Sequence, residues 1–131
     1  MIVDSSAIIA IVKGEQEAVA FKAALLGAPW LSMSAGSYFE CSIVVDGYKN
    51  PLLAARFDAI LEETGILVEP FTTEQARIAR QAYRDYGKGS GHPANLNFGD
   101  CFAYALARVK REPLLYKGDD FVHTDLRSAL S

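Results

Sequence analysis

The chain has 131 residues, of which 50% are hydrophobic, and its 13 Lys and Arg against 16 Asp and Glu give a net charge of −3. This balance excludes a strongly basic nucleic-acid coat protein, although an enzyme with a local basic patch remains compatible with it. The apolar content also excludes a disordered chain, and the length suffices for one hydrophobic core without disulfides or structural zinc. We therefore expect a single domain over residues 1–131.

The cysteine pattern and the apolar runs bear on location. Cys41 and Cys101 lie in apolar stretches, which predicts buried free thiols in a reducing compartment. The run from Ala7 to Val12 is far shorter than the ~20 residues of a membrane span, and no basic segment precedes it. We expect a cytoplasmic protein without a membrane anchor.

Short apolar segments alternate with amphipathic ones along the chain. The predicted strands are Met1 to Asp4, Trp30 to Met33, Ile66 to Glu69 and Pro113 to Tyr116. The predicted helices run from Ser5 to about Val12, Glu15 to Leu26, Ala35 to Tyr48, Pro51 to Glu63, Glu74 to Tyr86 and Phe98 to about Lys110. This alternation predicts an α/β fold with a mostly parallel sheet.

Capping residues and glycines mark the ends of these helices. Asp4 or Ser5, Ser34, Thr73 and Asn97 are the predicted N-caps, and Gly65 ends a helix. The glycine-rich stretch from 87 to 97 predicts a long polar loop, and loops of this length in compact domains are often functional.

Several acidic residues stand where solvated charges are unusual. Asp4 ends the first strand, and Asp119 and Asp120 follow the last one, at the edge where parallel sheets bind ligands. Glu40 and Asp100 lie in apolar helical stretches, and Glu40 has no Lys or Arg one turn away. Most also admit structural explanations, since Asp4 and Asp100 could serve helix capping and the Asp119–Asp120 pair could serve a turn.

Convergent carboxylates are the ligands that a hard divalent cation needs. Mg²⁺ prefers oxygen donors and retains several waters. Three or four carboxylates that hold such ions form the usual site for metal-assisted phosphodiester hydrolysis. The positions of these acids, at two strand ends, in an apolar helix and at a helix start, therefore favour a metal-dependent nuclease site over a set of unrelated structural acids.

The sequence resembles the PIN-domain ribonucleases, and in particular the VapC-type toxins of bacterial toxin–antitoxin pairs. The motifs that carry the resemblance are residues 1–7 (MIVDSSA), 37–40 (SYFE), 96–107 (LNFGDCFAYALA), 114–121 (LLYKGDDF) and Thr124-Asp125. They span essentially the whole chain in the family's order, so the ordered set is specific although each motif alone is weak.

The resemblance implies a three-layer α/β/α sandwich and an endoribonuclease that uses Mg²⁺, or Mn²⁺ in its place. It implies a cognate VapB-type antitoxin, a tRNA or rRNA substrate, and, together with the apolar helices near the N-terminus, a homodimer. Asp4, Glu40 and Asp100 match the three core acids of the family, and Ser6 matches a hydroxyl residue beside the first. We favour Asp119 over Asp120 as the fourth acid.

The expected roles follow from that match. Asp4 and Asp100 would bind the metal directly, while Glu40 would bind through water or accept a proton from the attacking water. The basic residues that could steer the phosphate backbone are Arg84, Lys88, Lys110, Arg111 and Lys117. Of these, Arg84, Lys110 and Arg111 also suit solvated helix ends.

Three other functions fit the sequence less well. Aspartyl phosphotransfer needs a second aspartate two residues after the first, where this chain has Ser6. A phospho-receiver domain fits poorly, because Asp46 and Asp58 fall within predicted helices. A non-catalytic PIN-like scaffold is disfavoured because all the acids are present.

Overall fold

The computed structural model describes residues 1–130; the last residue of the predicted domain, 131, lies outside the described residues. The strands are β1 (Ile2–Val3), β2 (Ser32–Ser34), β3 (Leu67–Glu69) and β4 (Leu114–Leu115). The helices are α1 (Ser5–Lys13), α2 (Ala18–Gly27), α3 (Ala35–Gly47), α4 (Pro51–Thr64), α5 (Thr73–Tyr86) and α6 (Phe98–Lys110). Every predicted strand and helix is therefore confirmed.

The four strands form one parallel sheet in the order β3-β2-β1-β4. Alternate residues of β1 and β4 face opposite sides of it. Ile2 and Leu114 pack in a core beneath α5 and α6, whereas Val3 and Leu115 pack in a core beneath α1 to α4. The predicted three-layer α/β/α sandwich is confirmed, because both faces of the sheet are covered by helices.

Two predicted helix starts were wrong, by three residues for α2 and by one residue for α5. Helix α2 begins at Ala18 rather than Glu15, because residues 15–17 form a turn in which the carboxylates of Glu15 and Glu17 bind Lys117. Helix α5 begins one residue early, because Thr72 rather than Thr73 accepts the first capping bond, from the Gln75 amide at 3.1 Å.

The predicted surplus of apolar surface near the N-terminus is smaller than the sequence suggested. Four of the apolar residues of α1, namely Ala7, Ile8, Ala10 and Val12, are fully buried in the core. On α2, Val19 and Leu26 remain largely exposed. Among residues 1–130, no helix is both long enough and apolar enough to cross a bilayer.

Candidate active site

Asp4 lies immediately after β1 and is the N-cap of α1. Its Oδ2 accepts hydrogen bonds from the Ser6 amide at 3.0 Å and the Ser6 hydroxyl at 2.6 Å. Its Oδ1 is buried and accepts no hydrogen bond from the described residues. Burial, reinforced by the nearby Glu40 charge, raises the Asp4 pKa to about 6. Asp4 therefore caps the helix with one oxygen and leaves the other free for a ligand.

Glu40 projects from α3 toward the first turn of α6. Its Oε1 accepts a hydrogen bond from the Ser5 hydroxyl at 2.7 Å. Its carboxyl group also lies directly against Gly99, where an added Cβ would sit 2.6 Å from Glu40 Cδ and overlap Oε2. The Glu40 carboxyl is thus held between α1 and α6, on the same side as Asp4.

Asp100 sits in the first turn of α6 and forms a capping box with Asn97. The Asp100 amide donates to Asn97 Oδ1 at 2.9 Å, and the Asn97 amide donates to Asp100 Oδ2 at 3.0 Å. Burial, a hydrogen bond with Asp120 and the charge of Asp4 outweigh that capping bond and raise the Asp100 pKa to about 8. Asp100 therefore has both a structural and a candidate functional role, because it caps the helix and also faces Asp4.

The acid that reaches Asp100 after β4 is Asp120. Its side chain is half-buried and hydrogen-bonded to Asp100, whereas Asp119 is exposed. This placement differs from the sequence prediction, which favoured Asp119. The two residues are adjacent in the turn after Gly118, and only the path of that turn decides which of them points inward.

Ser6 joins the two strand ends that carry these acids. Its hydroxyl donates to Asp4 and accepts the Lys117 amide at 2.9 Å. The segment that leads from β4 to Asp120 is thereby fastened to the end of β1. Ser5 was predicted only as a possible N-cap and Gly99 was not predicted at all, yet both contact the Glu40 carboxyl. The sequence signal for Gly99 was a glycine in the first turn of a helix.

The donor set suits a hard divalent cation. All four side chains offer carboxylate oxygens, and Asp4 Oδ1 is a buried acceptor without a donor among residues 1–130. Burial is the main cause of both raised pKa values, and the charge of a neighbouring carboxylate adds to each. The acids do not form a complete coordination site. Among residues 1–130, no three His, Cys, Asp or Glu side chains are grouped closely enough to hold a metal ion. Asp100 and Asp120 bind each other in this arrangement.

Two of the five basic residues predicted to steer phosphates are engaged elsewhere. Lys110 pairs with Glu69 at 2.8 Å, and Lys117 pairs with Glu15 at 2.8 Å and Glu17 at 3.0 Å. The other three, Arg84, Lys88 and Arg111, are exposed.

Known proteins resemble this chain over nearly its whole length. A family profile described as "PIN domain" matches residues 1–126. The chain is 55% identical over 130 residues to "Ribonuclease VapC28" of Mycobacterium tuberculosis, covering 99% of this chain and 98% of that protein. It is 53% identical over 129 residues to "Ribonuclease VapC42" of the same species, covering 98% of each.

Solved structures extend the comparison to the fold. The crystal structure of Mycobacterium tuberculosis VapC20, described as a sarcin-ricin loop cleaving toxin, superposes with a TM-score of 0.73 at 20% identity, covering 95% of both chains. A toxin–antitoxin complex from Klebsiella pneumoniae superposes with a TM-score of 0.69 at 19% identity, covering 95% of this chain and 92% of that one. Both share the sandwich and the order of its elements along nearly the whole length.

Proposed function

The chain belongs to the PIN domain family, and within it to the VapC-type ribonuclease toxins, and we propose that it cleaves cellular RNA as a metal-dependent endonuclease until a cognate antitoxin blocks it. The observation that carries this proposal is the free, buried Oδ1 of Asp4 among the carboxylates of Glu40, Asp100 and Asp120 at the carboxyl ends of the strands. The proposed domain covers residues 1–131.

The proposed metal is Mg²⁺, with Mn²⁺ as a substitute. Asp4 and Asp100 would hold it directly, and Asp120 takes the place of Asp119 as the fourth acid because it contacts Asp100. A bound ion of this kind supplies an acidified water and neutralises charge on the phosphate. Asp4 is suited to direct binding because Ser6 occupies only one of its two oxygens.

Glu40 is the proposed proton acceptor for the attacking water. The Ser5 hydroxyl fixes one of its oxygens, and the absence of a side chain at Gly99 gives the other room at the first turn of α6. A water nucleophile makes the ribose 2′-hydroxyl unnecessary, so the expected products carry a 5′-phosphate and a 3′-hydroxyl.

The proposed partners are an RNA substrate, of the tRNA or rRNA class, and a VapB-type antitoxin, and we also propose a homodimer. The exposed Val19 and Leu26 of α2 offer apolar surface to a protein partner. The proposed location is the cytoplasm, in keeping with two buried free cysteines. Light scattering of the purified protein at tens of micromolar tests the dimer, and a strict monomer would contradict it.

The activity itself is tested by incubating the purified protein with total RNA in Mg²⁺ or in EDTA and sequencing the new 5′-phosphate ends. We expect defined cuts that need Mg²⁺ and that disappear in Asp4→Asn. The alternative of a non-catalytic scaffold predicts no such ends under any condition. Cuts that persist unchanged in EDTA would contradict the metal dependence while leaving the nuclease activity in place.

A further inference from the structure

An aromatic cavity of about 400 Å³ opens between α5 and α6, beside the acids. The side chains that define it are Phe71, Arg80, Tyr83, Phe98 and Phe102, and we call it the aromatic pocket. We propose that the aromatic pocket receives one unpaired base of the substrate RNA, stacked on Phe98, while Arg80 binds a neighbouring phosphate. This inference rests on the proposed ribonuclease function and adds to it a subsite for the substrate.

The aromatic pocket and the acidic site share the first turn of α6. Phe98 is the first residue of this helix, Gly99 lies against the Glu40 carboxyl, and Asp100 faces Asp4. Phe71 follows β3 at the same carboxyl edge of the sheet from which Asp4 emerges. An RNA strand with a phosphate at the acids would therefore have an adjacent nucleotide within reach of Phe98.

The rings are arranged so that one of them stays available for stacking. Phe102 packs edge-on against Phe71, with ring centroids 4.7 Å apart, and against Phe98, with centroids 5.1 Å apart. It is also seated against Gly36, where a Cβ would lie 2.7 Å from its Cε1. Phe98 is 78% exposed although the next two residues are buried. Such an exposed aromatic ring is what single-stranded nucleic-acid sites use to stack bases without strong sequence preference.

Arg80, which lines the pocket, belongs to a row of positive charges on α5. Arg77, Arg80 and Arg84 are spaced to form one stripe along α5, and all three are exposed. Within residues 1–130, none of them takes part in an ion pair, in contrast to Lys110 and Lys117. Unpaired arginines beside an aromatic surface complement a phosphate backbone and its bases, which favours RNA as the occupant over an apolar protein segment.

The test uses a short single-stranded RNA that spans the main cut site of the wild-type protein. Versions with one abasic position each are compared by kcat/KM for the wild type, Phe98→Ala and Phe98→Trp. We expect one abasic position near the cut to reduce wild-type kcat/KM by roughly tenfold or more, as the loss of one base–aromatic stack predicts. Phe98→Ala should show a similar loss with the intact RNA and no further loss with that abasic RNA, while Phe98→Trp retains cleavage.

Trp30→Ala is the matched control, because Trp30 is 75% exposed and precedes β2 at the opposite edge of the sheet. It should leave kcat/KM unchanged. Equal cleavage by Phe98→Ala and wild type would overturn the base subsite and leave the ribonuclease function intact. A lower molar mass of Phe98→Ala in light scattering, with no effect of any abasic position, would assign the pocket to a second copy of the chain. Failure of the wild type to cut any RNA would remove the proposed function and the subsite with it.

Discussion

The Glu40 carboxyl group occupies the space that a side chain at position 99 would fill. Helices α3 and α6 can therefore approach closely enough to bring Glu40 beside the first turn that carries Asp100. The absence of one methyl group at Gly99 thus decides whether the third acid of the site can face the other two.

Gly99→Ala should lower RNA cleavage by roughly 10- to 100-fold, because the new Cβ displaces the Glu40 carboxyl from its place. Gly47→Ala is the control, since this glycine also lies in a helix and a Cβ there would meet nothing within 4 Å. The control should keep its activity and its melting temperature, or gain slightly from helix propensity. Wild-type cleavage by Gly99→Ala would show that the position of Glu40 does not matter.

Removal of each core acid should abolish cleavage without unfolding the protein. Asp4→Asn, Glu40→Gln and Asp100→Asn keep the size of each side chain, and the two Asn variants retain an oxygen that can cap a helix. Cleavage of a labelled RNA in Mg²⁺ measures the activity, and circular dichroism checks the fold. Near wild-type cleavage by any one of the three would remove that residue from the site.

Paired variants can show whether Asp120 or Asp119 is the fourth acid of the site. Asp120→Asn should reduce cleavage strongly, because the Asp120 side chain contacts Asp100, whereas Asp119→Asn should have little effect at its exposed position. Both variants remove one negative charge, and the two positions are adjacent in the turn after Gly118. Their long-range electrostatic effects are therefore matched. The opposite ranking of the two cleavage rates would restore Asp119 as the fourth acid.

The metal-free protein should lose stability as the pH rises. The folded pKa values of Asp4 and Asp100, about 6 and about 8, exceed the ordinary value of 3.8. A carboxyl group with a raised folded pKa binds its proton more tightly in the native state, so stability present below pH 4 is lost as the pH rises toward 8. In EDTA, the melting temperature should fall between pH 5 and pH 8, and Asp100→Asn should flatten this fall.

Millimolar Mg²⁺ should reverse that loss in the wild type by mass action and do much less for Asp100→Asn. At pH 8 in EDTA the variant should melt above the wild type, and each kcal/mol corresponds to about 3–5 °C for a chain of this size. Thermal shift resolves such a difference. A lower melting temperature for the variant, with no response of either protein to Mg²⁺, would leave Asp100 a helix-capping residue only.

Ser6→Ala should cost about 1–3 kcal/mol of stability and reduce cleavage, because the Lys117 amide loses its acceptor and Asp4 loses a donor. Ser42→Ala is the control, since its exposed hydroxyl bonds only the Tyr38 carbonyl one turn earlier. Denaturant unfolding measures the first effect and RNA cleavage the second. A Ser6→Ala protein as stable and active as Ser42→Ala would show that the link between the strand ends is dispensable.

Most of the fold was predictable from the sequence because its signals are local. Helical spacing and capping residues such as Ser34 and Asn97 are set within a few residues of chain, and the structure confirms both caps. The boundary of α2 was missed because it depends on Lys117, which lies about a hundred residues later in the chain. The ion pairs of Lys110 and Lys117 were not predicted for the same reason, since their acidic partners are distant in sequence.

By itself, the sequence determined the family, the layered α/β architecture and the candidate acids Asp4, Glu40 and Asp100, since spacing and residue type carry that information. Only the tertiary structure decided how the acids relate to one another. Asp120 rather than Asp119 faces Asp100, Ser5 holds Glu40, and Gly99 makes room for it. These relationships depend on where separate strands and helices end in space. The choice between two adjacent aspartates depends on the path of one loop. Neither hydrophobic periodicity nor residue type encodes such positions.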